Sequence, residues 1–353
     1  MPSLHEFITV DDVWGIVYYA VSVSLILFNT IVILRFFRDR KIKKNKIRTA
    51  EIKKLLLIHL VNPLQDLKFV LMKDLNDMKL LAEIVPEILK TLKGNSYQNL
   101  LDSLKGVGLY DWIKKNLVKK NKSKSIAAIR LAIHWPDEEI KNIVRKVVCE
   151  KKGLVQHAAV ESLSHMKDIE SFPIILDVFK QGKNFSFPLM CDVFLNFGKE
   201  ASKELISIIK SPDVSVKVKE PALMAFGKIG DMKEIGEVAI PLCADENNDI
   251  RAFAFLALSN SGLSLPLALL EKGKNDEYWR VRQCVAECLG NAPSTPLEML
   301  MELLGDENWL VGLQSGKALF KLGDKGKNVL KIISKKRSLS GQRAQMLLSE
   351  RGE

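Results

Sequence analysis

Cysteine and histidine, the residue types that most often hold metals or act as nucleophiles, are few in this sequence. Its cysteines are an odd set of five without a CxxC pair: Cys149, Cys191, Cys243, Cys284 and Cys288. Cys284 and Cys288 share one helix face, but no further ligand follows at a recognisable spacing. His157 and His165, eight residues apart, are expected to be packing or surface residues. We therefore predict structural cysteines, no metal or cofactor, and a reduced intracellular body.

Two basic stretches are the strongest charge features of a chain whose net charge is +11. The first follows residue 34, and the second lies in 112–136, which contains no acidic residue. Such stretches either are solvated helix ends or contact anionic lipid or an acidic partner. The candidates for an anionic surface are Arg35, Arg38, Arg40, Lys41, Lys43, Lys44, Lys114, Lys115, Lys119, Lys120, Lys122 and Lys124. Nucleic acid is a disfavoured partner, because aromatic and basic residues are not interleaved there.

Residues 13–34 contain no charge and predict a transmembrane helix, because 22 residues span about 33 Å at 1.5 Å per residue. Acidic residues precede this segment and basic residues follow it, so the N-terminus is expected outside and the rest in the cytoplasm. A cleaved signal peptide is disfavoured, since the start is not basic and the apolar core is long. The polar Asn29 marks a candidate helix–helix contact within the membrane.

Beyond residue 50, apolar residues recur at helical spacing and a longer pattern repeats. Val281 is followed seven residues later by the small residue Cys288 and then by the large apolar residue Leu289. The same anchor, small residue and large residue recur every 29 to 34 residues. The other sets are Val155–Ser162–Leu163, Leu189–Asn196–Phe197, Val218–Ala225–Phe226, Ile250–Ala257–Leu258 and Val311–Ala318–Leu319. This recurrence predicts a repeat architecture of six units.

Polar and small residues occupy fixed positions before and after the anchor sets of these units. An aspartate stands five residues before each of the last four anchors, at Asp213, Asp245, Asp276 and Asp306. We expect it to cap the helix that begins there. Glycine or serine follows the large residue in five units, at Ser164, Gly198, Gly227, Ser259 and Gly290, and the last unit delays its glycine to Gly323. Such residues predict helix ends.

Each unit is predicted to be a pair of helices, with 203–210 and 296–304 as examples of the second helix. The small residue is expected to let the second helix approach closely, while the large residue fills the gap between pairs. One pair cannot bury its apolar face alone, so the pairs must stack into a curved array with a long concave face.

Residues 276–290 (DEYWRVRQCVAECLG) and 306–323 (DENWLVGLQSGKALFKLG) resemble the HEAT-like repeats of the phycobilisome-lyase type. That family's pattern is Asp, an aromatic or small residue, Val-Arg and then Ala-x-x-Leu-Gly. The resemblance covers about 155–323 and fades in 96–150. It implies a ladder of aspartates and arginines between neighbouring units.

The ladder arginine is present as Arg251 and Arg282, becomes Lys219 and is lost at Gly312. The ladder is therefore expected to be incomplete at the last repeat. Iron-binding HEAT-repeat enzymes of the deoxyhypusine-hydroxylase type carry repeated His-Glu pairs, whereas the one such pair here, His5-Glu6, precedes the membrane segment. A metalloenzyme is accordingly disfavoured.

We therefore predict an all-α fold, with an N-terminal transmembrane helix followed by an α-solenoid of HEAT-like helix pairs. The predicted regions are a short extracytoplasmic N-terminus (1–12), the transmembrane helix (13–34), a basic juxtamembrane segment (35–48), degenerate helical or HEAT-like pairs (49–150), and HEAT-like repeats with C-terminal capping helices (151–353). This organisation resembles a group of bacterial membrane-anchored HEAT-repeat proteins.

That resemblance implies a scaffold beside other membrane machinery, without an active site. The expected function is a non-enzymatic, single-pass adaptor that binds a protein partner, such as a membrane enzyme or signalling protein, at the cytoplasmic membrane surface. Candidate partner-binding residues are Trp279, Trp309, Arg251 and Arg282, and the two tryptophans either pack between repeats or protrude to anchor the partner. The alternatives are an enzyme of the bilin-lyase kind and a peripheral sensor of anionic lipid.

Overall fold

The computed structural model describes residues 10–62, 67–71, 77–182, 185–292, 296–350 and 352. Residues 1–9, with His5 and Glu6, lie outside them. The described part is α-helical without a strand, apart from short 3-10 turns, which confirms the all-α prediction. The helices are α1 Val10–Val61, α2 Leu67–Leu71, α3 Asp77–Leu89, α4 Asn95–Val107, α5 Leu109–Leu117, α6 Lys122–Ala132, α7 Glu138–Glu150, α8 Leu154–His165, α9 Phe172–Lys180, α10 Phe187–Phe197, α11 Ser202–Lys210, α12 Val216–Ile229, α13 Met232–Leu242, α14 Asn248–Ser261, α15 Leu267–Lys274, α16 Trp279–Asn291, α17 Leu297–Leu304, α18 Trp309–Lys321, α19 Asp324–Ile333 and α20 Leu339–Ser349.

Helix α1 is continuous for 52 residues and contains both the apolar segment and the basic segment. Its residues 14–44 are all exposed, whereas Ile52 and Leu56 further along are fully buried. By length and composition, its stretch from Trp14 onward is able to cross a membrane, and none of the apolar part is buried within the protein. The predicted segment 13–34 therefore lies in a helix that offers its apolar side chains to the surroundings.

The chain forms two compact units, Met1–Lys115 and Asn116–Glu353. In the first unit, α1 packs on α2 and α3. Arg48 of α1 donates from Nε and Nη2 to the two carboxylate oxygens of Asp77, at 3.1 and 2.8 Å. Asp77 is fully buried, so this bidentate pair fixes the end of the basic segment to the start of α3.

The second unit is built from two rows of helices. The first helices of successive pairs pack on one another in the order α6, α8, α10, α12, α14, α16, α18 and α20. The second helices lie between them and pack mainly on the first helix of the following pair, as α13 does on α14 and α17 on α18. The repeated helix pair is therefore confirmed. It begins at α6, upstream of the indexed units, and α20 adds one more first helix at the C-terminal end.

The large apolar residue of each set forms the core of this stack. Leu163, Phe197, Phe226, Leu289 and Leu319 are completely buried, and Leu258 is almost so. The small residue has a different role from the predicted one, because it faces the preceding first helix and not a second helix. The Sγ of Cys288 donates to the carbonyl oxygen of Phe255 at 3.1 Å, and Ser162 Oγ donates to Ile129 O at 3.0 Å.

The glycines that follow the large residue correct a second expectation. Gly227 and Gly290 lie inside α12 and α16 and do not end these helices. A Cβ atom on Gly227 would lie 2.5 Å from Ala257 Cα, and one on Gly290 would lie 2.7 Å from Ala318 Cβ. Glycine is therefore needed because consecutive first helices touch backbone to backbone. Gly198 does adjoin the C-terminal end of α10, in a left-handed conformation.

The aspartates before the anchors are not the N-cap residues. The caps of α14 and α18 are Asn247 and Asn308, whose side-chain oxygens accept backbone N–H groups of the first turn. The aspartates stand two residues earlier, and Asp245, Asp276 and Asp306 accept the backbone N–H two positions on, at 2.8 to 2.9 Å. They shape the loop that leads into the helix.

Candidate protein-binding face

The Asp–Arg ladder implied by the resemblance is present between three consecutive repeats. Arg251 donates to both carboxylate oxygens of Asp276 at 2.8 and 2.9 Å, and Arg282 donates to those of Asp306 at 2.7 and 2.9 Å. Hydrogen bonds to Asp306 raise the pKa of Arg282, so its guanidinium stays charged. Among the described residues, Lys219 forms no ion pair with Asp245, so the ladder starts at Arg251.

This geometry gives Arg251 and Arg282 a structural role. Each side chain is about nine-tenths buried, at 12% and 10% exposure. The Nη1 of Arg282 donates to Asp276 O and Glu277 O at 2.8 and 3.0 Å, and Arg251 binds its own loop in the same way. With both edges of the guanidinium occupied, these arginines join the repeats and offer little to a partner.

The two tryptophans take different positions although their places in the repeat are equivalent. Trp279 is half-buried, and its ring lies 6.0 Å from that of Tyr278. Trp309 is 47% exposed, and the guanidinium carbon of Arg343 lies 5.4 Å from its ring centroid. Trp309 is therefore the more accessible anchor for a partner.

The row of first helices forms the inner side of the stack. Consecutive first helices touch backbone to backbone, as at Gly227 and Gly290. Successive second helices contact one another more sparsely, as at α7–α9 and α15–α17. The rings of Phe187 in α10 and Phe253 in α14 lie 5.3 Å apart although a whole repeat separates them. A contact that skips one helix indicates that the row bends toward that side. We call the solvent-accessible side of the first helices the inner face.

One position of the repeat recurs on the inner face, six residues after each anchor. The residues at this position are Glu161, Leu195, Met224, Leu256, Glu287 and Lys317, all exposed or half-buried. Charged side chains occupy the two ends of this series, and three apolar side chains occupy its middle. An apolar band with charged flanks is the composition expected of a protein-binding surface.

Charged groups lie beside that band. Asp249 Oδ1 accepts hydrogen bonds from the hydroxyl of Tyr278 at 3.1 Å and from Arg280 Nη1 at 3.4 Å. The guanidinium of Arg280 also lies over the ring of Phe253, with its carbon 4.6 Å from the centroid. Burial raises the pKa of Glu220, and the neighbouring charge of Asp249 raises it further. The inner face thus carries charges that are partly shielded from solvent and that pair with one another.

A groove of about 1090 Å³ lies at the opposite ends of the first helices, between the loops that lead to α15, α17 and α19. Leu265, Leu267 and Leu297 line it together with Asp324 and Lys325. Sequence reasoning missed this groove because most of its lining residues lie in loops or at the first turns of second helices, outside the anchor pattern.

Four of the five cysteines are buried and Cys149 is exposed, while the two histidines of α8 lie in different surroundings. Burial raises the pKa of the Cys191, Cys243 and Cys284 thiols to about 12, which keeps them protonated and poorly nucleophilic at neutral pH. His157 packs with its ring 4.4 Å from Phe185, while His165 is exposed beside Asn196.

The predicted basic residues are largely exposed. Arg35, Arg38, Arg40, Lys41, Lys43 and Lys44 all lie on the exposed part of α1. In the first unit, Lys115 is exposed and the Nζ of Lys114 lies 4.9 Å from the centroid of Tyr110. In the second unit, Lys119, Lys120 and Lys122 are exposed and Lys124 is half-buried, next to the exposed apolar residue Val118.

No family model matches the chain, and no curated protein matches it. Solved structures do. An engineered protein is 16% identical with a TM-score of 0.33, covering 84% of this chain and 88% of that one. Kap121p bound to Pho4p is 13% identical with a TM-score of 0.44, covering 85% of this chain and 39% of that one. Human deoxyhypusine hydroxylase in complex with glycerol is 16% identical with a TM-score of 0.30, covering 70% and 98%.

The chain spans about two fifths of the length of Kap121p. All three TM-scores lie below 0.5.

Proposed function

We propose that this protein is a non-enzymatic scaffold that α1 anchors in the cytoplasmic membrane and whose inner face binds a protein partner. The N-terminus lies outside and the chain after the apolar segment of α1 lies in the cytoplasm, because basic residues follow that segment. The apolar band of Leu195, Met224 and Leu256 on the inner face is the observation that carries the proposal.

Two further features support this function. The large apolar surface of α1 is exposed, and a membrane would remove it from water. The thiols of Cys191, Cys243 and Cys284 are protonated and buried, and the two histidines of α8 lie in separate environments. The buried thiols act as packing residues, which favours a binding protein over an enzyme of the bilin-lyase kind.

Site-specific photocrosslinking in intact membranes tests the scaffold. A photoreactive residue at Leu256 or Met224 on the inner face should give a discrete crosslinked protein product. The same residue at Glu237, exposed on the second helix α13, is the matched control and should not give that product. Equal products from both sides, or none from the inner face, would contradict the proposed function.

A second candidate, contact with anionic lipid, is favoured by the exposed cations of α1. They follow the apolar segment without a break in the helix, which would place them at the level of the headgroups. This contact accompanies the scaffold function and does not compete with it.

A further inference from the structure

Asn29 is a carboxamide inside the uncharged segment 13–34 of α1. It is exposed, and its Nδ2 donates to Leu25 O of the same helix at 3.0 Å. A carboxamide offers two N–H donors and a carbonyl acceptor, so this bond uses one donor only. Among the described residues, nothing else donates to the Asn29 side chain or accepts from it. The neighbouring Thr30 differs, because its one hydroxyl donor already binds Ile26 O at 2.8 Å.

In the proposed membrane arrangement, the remaining polar atoms of Asn29 lie in the apolar layer and not in water. Asn29 stands five residues before Leu34, which places it about 8 Å inside that layer at 1.5 Å per residue. Its side chain is short and does not reach the headgroups as lysine and arginine do. An unsatisfied polar group in hydrocarbon is costly, so these atoms favour a hydrogen-bonding partner from a neighbouring helix.

Asn29 belongs to one face of the helix. Gly15 and Ser22 precede it at intervals of seven residues. Seven residues complete two helical turns to within about 20°, so the three residues form one line along α1. Exposed apolar or aromatic side chains flank this line, with Tyr18, Leu25 and Val32 on one side and Tyr19, Ile26 and Ile33 on the other.

A line of small and polar residues between two apolar rows is typical of membrane helices that pair, because small residues let the two backbones approach. We call this line and its two rows the Asn29 seam. The cations beyond the membrane limit its length. Arg40 and Lys43, eleven and fourteen residues after Asn29, continue nearly the same side of α1. Their charges would repel the same charges on an identical helix, so pairing through this face is confined to the membrane segment.

We propose that α1 pairs in parallel with the α1 helix of a second copy of this chain, through the Asn29 seam. A carboxamide is both donor and acceptor, and in a parallel pair of identical helices the two Asn29 side chains stand at the same depth. They therefore hydrogen-bond each other, whereas a different protein needs a polar group at that one depth. This inference rests on the proposed function in taking α1 as the membrane anchor.

Disulfide crosslinking of the full-length chain in native membranes tests the seam. Cysteine is introduced at one position at a time into a Cys149→Ser background, because Cys149 is the exposed one of the five native cysteines. Treatment with a membrane-permeant oxidant should link Ser22→Cys, Leu25→Cys and Ile33→Cys into dimers. Copies with two different epitope tags, expressed together, show whether the product contains two of these chains.

The opposite side of the helix supplies the control positions. Ala20→Cys, Leu27→Cys and Ile31→Cys lie about half a turn away from Asn29 and should give at least about threefold less dimer.

The carboxamide itself is tested by replacing it. Asn29→Val should lower the dimer yield of Ser22→Cys and Ile33→Cys at least about threefold, as expected for the loss of one hydrogen bond between membrane helices. Asn29→Gln, which keeps a carboxamide, should restore most of this yield. Thr30→Val is the matched control, because it removes a polar group that is bound to its own helix, and it should leave the yield unchanged.

No dimer, equal yields on the two sides of the helix, a product without the second tag, or yields that resist Asn29→Val would each overturn the inference. Higher yields at Ala20→Cys and Ile31→Cys would also do so, since they locate the contact at the competing small residues Ala20 and Ser24. Alkaline extraction, which leaves membrane-spanning proteins in the bilayer, distinguishes these outcomes from a failure of α1 to insert. Crosslinking from Leu256 reports separately on partner binding by the inner face.

Discussion

At the scale of single residues, bidentate arginine–aspartate ion pairs recur along this protein. They occur as Arg48–Asp77, Arg145–Asp168, Arg251–Asp276 and Arg282–Asp306, and each aspartate follows its arginine by 23 to 29 residues. Each ion pair joins the helix of its arginine to a loop or helix start further along the chain. Such links fix the register between neighbours at the cost of desolvating two charges.

The ladder makes stability depend on acid in a defined direction. Burial alone would raise the pKa of Asp276, but hydrogen bonds from Arg251 and from the backbone N–H of Tyr278 hold it below the usual value. A lowered folded-state pKa stabilises the fold fully above about pH 4, the usual pKa of aspartate, and this stabilisation is lost as pH falls further.

Arg251→Gln should therefore lower the free energy of unfolding by about 1–3 kcal/mol at neutral pH, because Asp276 loses its partner. It should also flatten the decline of stability between about pH 4 and 2. Chemical denaturation of the full-length protein across this pH range measures both effects. An Arg251→Gln variant with the wild-type pH slope would exclude Asp276 as the source of that slope.

Helical glycines allow a matched comparison at the same scale. Gly227→Ala places a methyl group 2.5 Å from Ala257 Cα and should destabilise the stack by about 1–3 kcal/mol through overpacking. Gly106→Ala, inside α4, meets no atom within 4 Å and should be neutral or stabilising by up to about 1 kcal/mol. Thermal unfolding of the two variants distinguishes crowding from helix propensity.

Sequence reasoning located residues that recur at a fixed position of the repeat, and it misread residues whose role depends on contact with another helix. The anchor spacing located Asp276, Asp306 and their arginines, because each repeats at a fixed position. Gly227 was assigned as a helix end, since its neighbour Ala257 becomes visible only when two helices are in contact. Arg343, whose Nη1 donates to Leu304 O and Asp306 O beside Gly312, was missed because its helix lacks the anchor pattern, although it stands 31 residues after Gly312.

At the scale of elements, α1 differs from every other helix of the described chain. It begins with exposed apolar side chains, continues with exposed cations, and ends with Ile52 and Leu56 in the core of the first unit. Length and absence of charge predict a membrane-spanning segment at 13–34, and the structure places these residues in one continuous helix. The junction with the first unit was not foreseeable, because the partner of Arg48, Asp77, lies 29 residues away.

The orientation of α1 is testable through its cations. Changing Arg35, Arg38, Arg40, Lys41, Lys43 and Lys44 to Gln should give a mixed orientation, since the basic excess near the helix end sets the topology. An impermeant thiol reagent applied to a cysteine introduced at the exposed Lys199 reports the orientation in intact cells. Changing Lys119, Lys120, Lys122 and Lys124 to Gln is the control, because these lysines lie too far from the membrane segment to affect it.

In the second unit, the local stability of each repeat is expected to depend on the contacts between neighbouring first helices. Each first helix contacts its two neighbours in the row, so a helix at the end of the row has one such neighbour fewer. Helix α20 covers the C-terminal end, where Leu347 Cδ1 would lie 2.1 Å from a Cβ atom on Gly316. Removal of this last helix should therefore loosen the adjacent repeats first.

Deleting residues 339–353 should raise amide hydrogen exchange in α18 and α19 and leave α8–α12 protected. Deleting 351–353 keeps α20 and serves as the control. Hydrogen exchange followed by mass spectrometry resolves the two regions. Equal loss of protection along the whole unit would show that it unfolds as one cooperative block.

Because α1 is continuous, it also fixes the distance between its apolar segment and Arg48. Residues 35–47, between the apolar segment and the first attachment at Arg48, extend about 20 Å at 1.5 Å per residue. In the proposed membrane arrangement, this helix acts as a stiff spacer and not as a flexible leash. Helices α2 and α3, which pack on the far end of α1, are then held at a fixed height, so a partner embedded in the same membrane must project its own contact region by a comparable distance to reach them.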